Sequence, residues 1–389
     1  MAWLRNRGGR TVGLVAAASA VLALTACGTG GAGDGGSDDG NSGDREAKYK
    51  RVLRDPHPRP ADVIEMAGAP ADVVRADDGS LLLTYDLGNV EDDEGPAATA
   101  WRIVSRDGRT VAQHAEHTDM EASRVSFKGA PGGFVRVPDE GAKGAYVLDV
   151  RGKRHKFAVA ERPLGTRRGD ILLSEQPSTL VYRPATRTVA PPAGVPEAAI
   201  GFAVDERGTV WSMVQPLTEE PHSVVWQRDG RTLGSEAVAK PYLGGDLAAR
   251  GGTAALSLAQ VVGEDEDGLE DVRVRGLLVT TDGGRHWRTL LAGGIPWKKL
   301  NAGPESLVLE VLSDGRLLVG GTGGRYWLAA DRANGVFREL RTPAAFTSLT
   351  VEGTTLYGIV DAATPSYDLV KGEGLYVSRD GGREWRRHK

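Results

Sequence analysis

Hydrophobic positions fall in short runs rather than in helical stripes. Apolar, β-branched segments at residues 80–85, 146–150, 171–174, 277–281, 306–312 and 317–320 are each bounded by Asp-Gly, Gly-Gly or proline-containing breaks. Runs of this length, closed by residues that tolerate positive φ, specify antiparallel strands joined by hairpins. Apolar patterns of helical period are scarce. The 53 glycines and 20 prolines supply the turns. The pattern predicts an all-β chain.

One unit recurs. It is a strand ending in Ser or Thr, then x-Asp-Gly-Gly-Arg-x-Trp, then a short basic strand. Full copies run Thr280-Thr281-Asp282-Gly283-Gly284-Arg285-His286-Trp287 and Ser378-Arg379-Asp380-Gly381-Gly382-Arg383-Glu384-Trp385. Decayed copies surround Asp107-Gly108 and Asp229-Gly230, and weaker turns fall at 149–152, near Ala185-Thr186, and at 332–335. In chain order the turns lie at about 107, 151, 186, 229, 282, 334 and 380, with gaps of 44, 35, 43, 53, 52 and 46 residues. A period near 45 residues is that of one four-stranded propeller blade. The expectation is a β-propeller of four-stranded antiparallel blades: seven, or six if the weak third unit is discounted.

Asp-Gly provides the backbone of a tight hairpin, and the Asp carboxylate accepts N–H groups within the turn. The Trp is expected to fold back over its own hairpin. The two full copies resemble the Asp-box (BNR repeat) of sialidases and other propellers, with His286 and Glu384 where that pattern usually has Thr. The resemblance implies a structural turn away from any active centre, carried by Thr280, Asp282, Gly284 and Trp287 and by Ser378, Asp380, Gly382 and Trp385.

If these turns join the third and fourth strands, the loops between second and third strands lie on the opposite face. Four are long: residues 88–99, 216–223, 263–271 and 361–374. Three are acidic, and Glu91, Asp92, Asp93, Glu219, Glu220, Glu264, Asp265, Glu266 and Asp267 are expected to rim one opening. Loops on a rigid scaffold are the usual seat of function. Trp101, Trp226, Trp327 and Tyr376 are expected between blades, and Trp297 and Tyr367 on a binding surface.

The N-terminus carries Arg5, Arg7 and Arg10 and no acid, then an apolar stretch from Thr11 to Leu24, then Leu24-Thr25-Ala26-Cys27. A basic start, a short apolar core and small residues before the cut define a secretory signal. The core is shorter than the roughly 20 residues of a membrane span. Leu24-Thr25-Ala26-Cys27 resembles the lipobox of bacterial lipoproteins, which implies acylation at Cys27 and cleavage before it. Residues 1–26 are then the signal, 27–46 a lipidated Cys and flexible Gly/Asp/Ser linker, and 47–389 the propeller. Cys27 is the only cysteine, so no disulfide forms within the chain.

Removing the signal leaves a net charge of −7. A mildly acidic surface argues against nucleic acid as a partner. His114, Glu116 and His117 do not make a converging metal set, because a strand sends 117 to the face opposite 114 and 116. No cofactor or dedicated metal site is expected. The sialidase resemblance implies an arginine triad, yet the nearest string to its first motif is Tyr182-Arg183-Pro184 in the third unit, and no complete catalytic set is assignable. The reading is a monomeric, lipid-anchored propeller on the outer face of the bacterial cytoplasmic membrane. It acts as a non-catalytic binding or assembly module for a protein or glycan. The alternatives are a sialidase-like glycoside hydrolase and a structural envelope component.

Overall fold

A computed structural model of the chain describes residues 42–88, 97–118, 126–137, 145–174, 179–216, 220–264, 270–291, 294–300, 302–303, 307–321, 324–332, 335–361 and 372–388. Seven four-stranded sheets form the fold. Their first strands are Asp72–Arg75, Ser126–Ala130, Ile171–Ser174, Ala199–Val204, Leu243–Arg250, Val308–Val311 and Ser348–Glu352. Each first strand touches that of the next sheet, and the seventh touches the first. The sheets are therefore seven blades of a closed ring, with these strands lining a central channel.

Burial explains the closure. Each blade has two apolar faces and covers them against its neighbours. Trp101, Leu82 and Ile103 of blade 1 pack on Phe127, Phe134 and Leu148 of blade 2. Trp226 of blade 4 packs on Leu256 and Leu278 of blade 5, and Trp327 of blade 6 packs on Leu277 and Val279 of blade 5. Tyr376 lies half-buried against the cluster shared by blades 6 and 7. These four aromatics sit where the sequence places them. Trp297 does not. It is buried in the short helix Trp297–Leu300, packed with Ile295 and Leu300 against blades 5 and 6, and offers no binding surface. Tyr367 lies outside the described residues.

Blade 3 departs from the expected order. Its sheet runs Ile171–Ser174, Leu180–Arg183, Thr188–Ala190, and then Ala158–Val159, which pairs parallel to Thr188–Ala190. The fourth position is filled by chain arriving from blade 2. The turn near Ala185-Thr186 therefore joins second and third strands, not third and fourth. The other six turns in the spacing series do join third and fourth strands.

The chain before blade 1 is helical. Helix α1, Ser42–Arg54, and helix α2, Pro60–Ala67, precede the first strand. Residues 42–46, assigned by composition to the linker, form the first turns of α1. Residues 47–55 add no strand to the last blade, whose fourth strand is Arg386–Arg387. Instead Tyr49, Val52 and Leu53 of α1 and Val63 and Met66 of α2 are buried with Leu83 and Tyr85 of blade 1 and Tyr357, Ile359 and Leu375 of blade 7. The helix pair straddles the seam where the ring closes. Glu373 of blade 7 accepts the Ala69 N–H at 2.6 Å across 304 residues of chain, and the Tyr49 hydroxyl donates to Gly88 O at 2.7 Å. No helix among the described residues is long and apolar enough to cross a membrane.

Candidate functional site

The two full Asp-Gly-Gly-Arg-x-Trp turns have the same internal bonding. Thr280 Oγ1 donates to Asp282 Oδ1 at 2.9 Å and accepts the Gly284 N–H at 3.0 Å. Asp282 accepts from the His286 backbone at 3.1 Å and pairs with His286 Nδ1 at 2.6 Å. In blade 7, Ser378 Oγ donates to Asp380 and accepts from Gly382, both at 2.8 Å, and Asp380 accepts the Arg383 and Glu384 N–H groups at 3.0 Å. The bonds from His286, with that from Thr280, hold the Asp282 carboxyl at about 2, well below its ordinary value. These carboxylates are spent within their turns.

The tryptophans pack across the blade boundary. Trp287 of blade 5 stands 5.6 Å from Trp226 and 5.9 Å from Trp211, both of blade 4. Trp385 stands 4.8 Å from Phe346, in the cluster shared with blade 6. Each turn wedges an indole against the preceding blade. The reason is space. Gly284 (φ 92°) lies against the Trp226 ring, where any Cβ would collide.

Between second and third strands lies the face expected to work. Glu91, Asp92, Asp93, Glu219, Asp265, Glu266 and Asp267 fall outside the described residues. Glu220 is exposed, and Glu264 ends the second strand of blade 5. That blade is the one built out furthest. Its second and third strands, Thr253–Glu264 and Glu270–Thr280, are the longest in the ring. The first strand stops pairing at Leu243↔Ala259, and the fourth pairs only with Leu277, Leu278 and Val279. Beyond these points a two-stranded ribbon continues through Gln260↔Arg273, Val261↔Val272, Gly263↔Asp271 and Glu264↔Glu270. At about 3.4 Å per residue it rises roughly 15 Å above its flanking strands. Val261 and Val262 on it are 39% and 45% exposed. Asp271 is held by Arg273 at 2.5 Å, and Glu270 is exposed.

A second group of charges was not singled out from the sequence. The first strands alternate buried and partly exposed residues, as in Leu309/Glu310/Val311 and Leu349/Thr350/Val351/Glu352. The partly exposed set faces the channel. Arg75, Lys128, Arg250 and Glu310, from blades 1, 2, 5 and 6, all act electrostatically on Glu352 of blade 7. Only the channel brings five blades within range of one another. Burial there pushes the Glu352 carboxyl up to about 7, with Glu310 adding to the shift and Arg250, Arg75 and Lys128 opposing it. Burial likewise raises Asp72, against the Val73 N–H and Lys128. Arg250 also clamps two blades, its Nε donating to Glu206 of blade 4 at 2.6 Å. Five of the seven first strands carry at least one charge among apolar residues, which was the signal a sequence could offer.

Other candidates are absorbed by packing. Arg183, in the string nearest the sialidase arginine motif, donates to Asp170 at 2.7 and 3.1 Å and to Gly165 O. Asp170 is buried, so the pair pins the segment ahead of blade 3. His114 and Glu116 share a face at 3.8 Å, and Glu116 meets Arg136 of blade 2 at 3.3 Å. His117 points the other way, to Leu53 O of α1 at 3.0 Å. Among the described residues no group of His, Cys, Asp and Glu is placed to hold a metal.

No family model and no curated protein matches the chain. Among solved structures it is similar to PorZ, an essential bacterial surface component of the type-IX secretion system of Porphyromonas gingivalis. The identity is 10% and the TM-score 0.45 over 83% of this chain; the chain spans 38% of the PorZ chain. It is similar to apo AztD from Citrobacter koseri at 11% identity and TM-score 0.39, covering 82% of this chain and 86% of that one. It is similar to YCF48 bound to D1 peptide at 13% identity and TM-score 0.31, covering 83% and 82%. Likeness at this level says nothing of partners or chemistry.

Proposed function

We propose that the chain is an extracytoplasmic propeller, held to a membrane through acylated Cys27, that works as a non-catalytic binding or assembly module. The face between second and third strands is the working surface, and the full Asp-Gly-Gly-Arg-x-Trp turns are structural Asp-boxes. The observation that carries the binding role is the blade 5 ribbon. A rigid ring presents one projecting, partly apolar element on that face, at the blade where the acidic loop of residues 263–271 begins.

The tether agrees with this geometry. The helix pair packs beside Gly88 and Glu373, both at the ends of second-to-third strand loops. The chain thus enters the ring on the working face.

Two measurements test the reading. Mass spectrometry of the N-terminal peptide is expected to show a diacylglyceryl-modified Cys27, and Cys27→Ala to move the protein from the membrane to the soluble fraction. Reversing the nine rim charges is expected to abolish a pull-down that the unaltered chain supports. An unmodified Cys27, or a pull-down indifferent to all nine reversals, removes the corresponding half of the proposal.

One observation favours the enzyme alternative. Glu352, titrating near 7 with Glu310 in the same channel, has the makings of an acid and base pair. Turnover of a fluorogenic glycoside by the intact chain, lost in both Glu352→Gln and Glu310→Gln, would establish it. Inertness against a panel of such substrates favours the binding role.

A further inference from the structure

We infer that the free edge of the blade 5 ribbon, residues 260–264, is a docking site for an extended, basic peptide segment of a protein partner, added as an extra strand. This rests on the binding reading above and names the kind of partner.

Among the described residues the two edges of the ribbon differ at its base. The Glu270–Thr280 edge is met by the segment that follows the fourth strand: Val274 N–H donates to Ala302 O at 3.0 Å, and Ile295, Trp297 and Leu300 pack at its base. The Thr253–Glu264 edge is paired with the first strand only as far as Ala259. From Gln260 to Glu264 its ladder partners all lie on the other side. A strand edge left open offers backbone N–H and C=O groups to another chain. Proteins usually blunt such edges with lysine, proline or a bulge; residues 260–264 read Gln-Val-Val-Gly-Glu, with neither lysine nor proline, and the register shift between Val261 and Gly263 is the one irregularity in their pairing. Exposed Val261 and Val262 supply side-chain burial to an incoming strand instead.

Charge selects the segment. Exposed Glu220 belongs to the neighbouring loop of blade 4, which reaches blade 5 where the Gly244 N–H donates to His222 Nδ1 at 3.0 Å. Glu264 and exposed Glu270 close the ribbon at its far end. An added strand would run between exposed Glu220 and exposed Glu270, so lysines and arginines on it are favoured and acids are not. Every residue added to the ladder contributes backbone bonds irrespective of its side chain, while the valines and acids set the preference for alternating β-branched and basic positions.

The test pans a phage-displayed library of random dodecapeptides against the immobilised full chain. Recovered peptides are expected to carry runs of alternating β-branched and basic residues without internal proline. Their affinity is expected to fall about tenfold or more in V261K/V262K, whose fold is checked by circular dichroism. Val111→Lys, at a valine of similar exposure on the outer strand of blade 1, is the control and is expected to leave affinity unchanged. Binding lost on reversal of the rim charges but kept in V261K/V262K overturns the edge while preserving the working face. Binding indifferent to both sets overturns both, and failure to recover any peptide overturns the edge. A dimer in light scattering that V261K/V262K dissolves assigns the edge to a second copy of this chain and also overturns the inference.

Discussion

Replacing Glu352 by Gln removes one ionisable group from the channel while keeping its shape. The wild-type carboxyl titrates at about 7 against an ordinary value of 4.5. A carboxyl with a raised folded pKa holds its proton more tightly when folded. Its stabilising contribution is therefore complete below about pH 4.5 and is lost as pH rises through about 7. At 1.36 kcal/mol per unit the full swing is at most about 3 kcal/mol, and partial exposure of the carboxyl reduces it to about 1–3. A ring of roughly 350 residues unfolds with an entropy near 0.7 kcal/mol/K, so this swing equals about 1.5–4 °C in Tm. Calorimetry of both proteins between pH 5 and pH 8.5 reads it. The two are expected to melt together at pH 5 once any constant offset is subtracted, with Glu352→Gln gaining that increment by pH 8.5. A Tm difference that stays flat across this range would refute the burial of the Glu352 carboxyl in the channel.

Three further outcomes follow from the turns and the seam. Gly283→Ala places a side chain at φ 79° in open space and is expected to cost about 1–2 kcal/mol in urea denaturation. Gly284→Ala adds a collision with the Trp226 ring and is expected to exceed about 3 kcal/mol; equal costs would mean the turn is not wedged between blades. Asp282→Ala is expected to be less stable than wild type at pH 7, with the gap closing as pH falls through about 2, because a depressed carboxyl contributes above its unfolded value of 3.8 and loses that contribution on protonation; acid titration of both proteins followed by circular dichroism checks this. Tyr49→Phe loses one hydrogen bond to Gly88 and is expected to cost about 1 kcal/mol, whereas Tyr49→Ala also empties a buried site on the seam and is expected to cost about 3–5 kcal/mol in the same denaturation assay.

Hairpin chemistry made the blades countable from sequence. The bonds that shape each turn span at most four residues, as in Thr280 to Gly284 and Ser378 to Gly382, so residue identity at those positions suffices to announce a corner. Six such corners, with a seventh turn near Ala185-Thr186 that joins a different strand pair, were enough to infer the ring and the inter-blade places of Trp101, Trp226 and Trp327. Tertiary structure alone decided the rest. Blade 3 fills its outer position with Ala158–Val159, a choice made by where the chain arrives, which no local pattern encodes. Arg75, Lys128, Arg250, Glu310 and Glu352 are each unremarkable within a strand and become a group only when five blades face one channel. The closure of the ring hangs on contacts such as Ala69 with Glu373, 304 residues apart. Turns are set by neighbours along the chain, whereas a channel and a seam are set by which surfaces must leave water together.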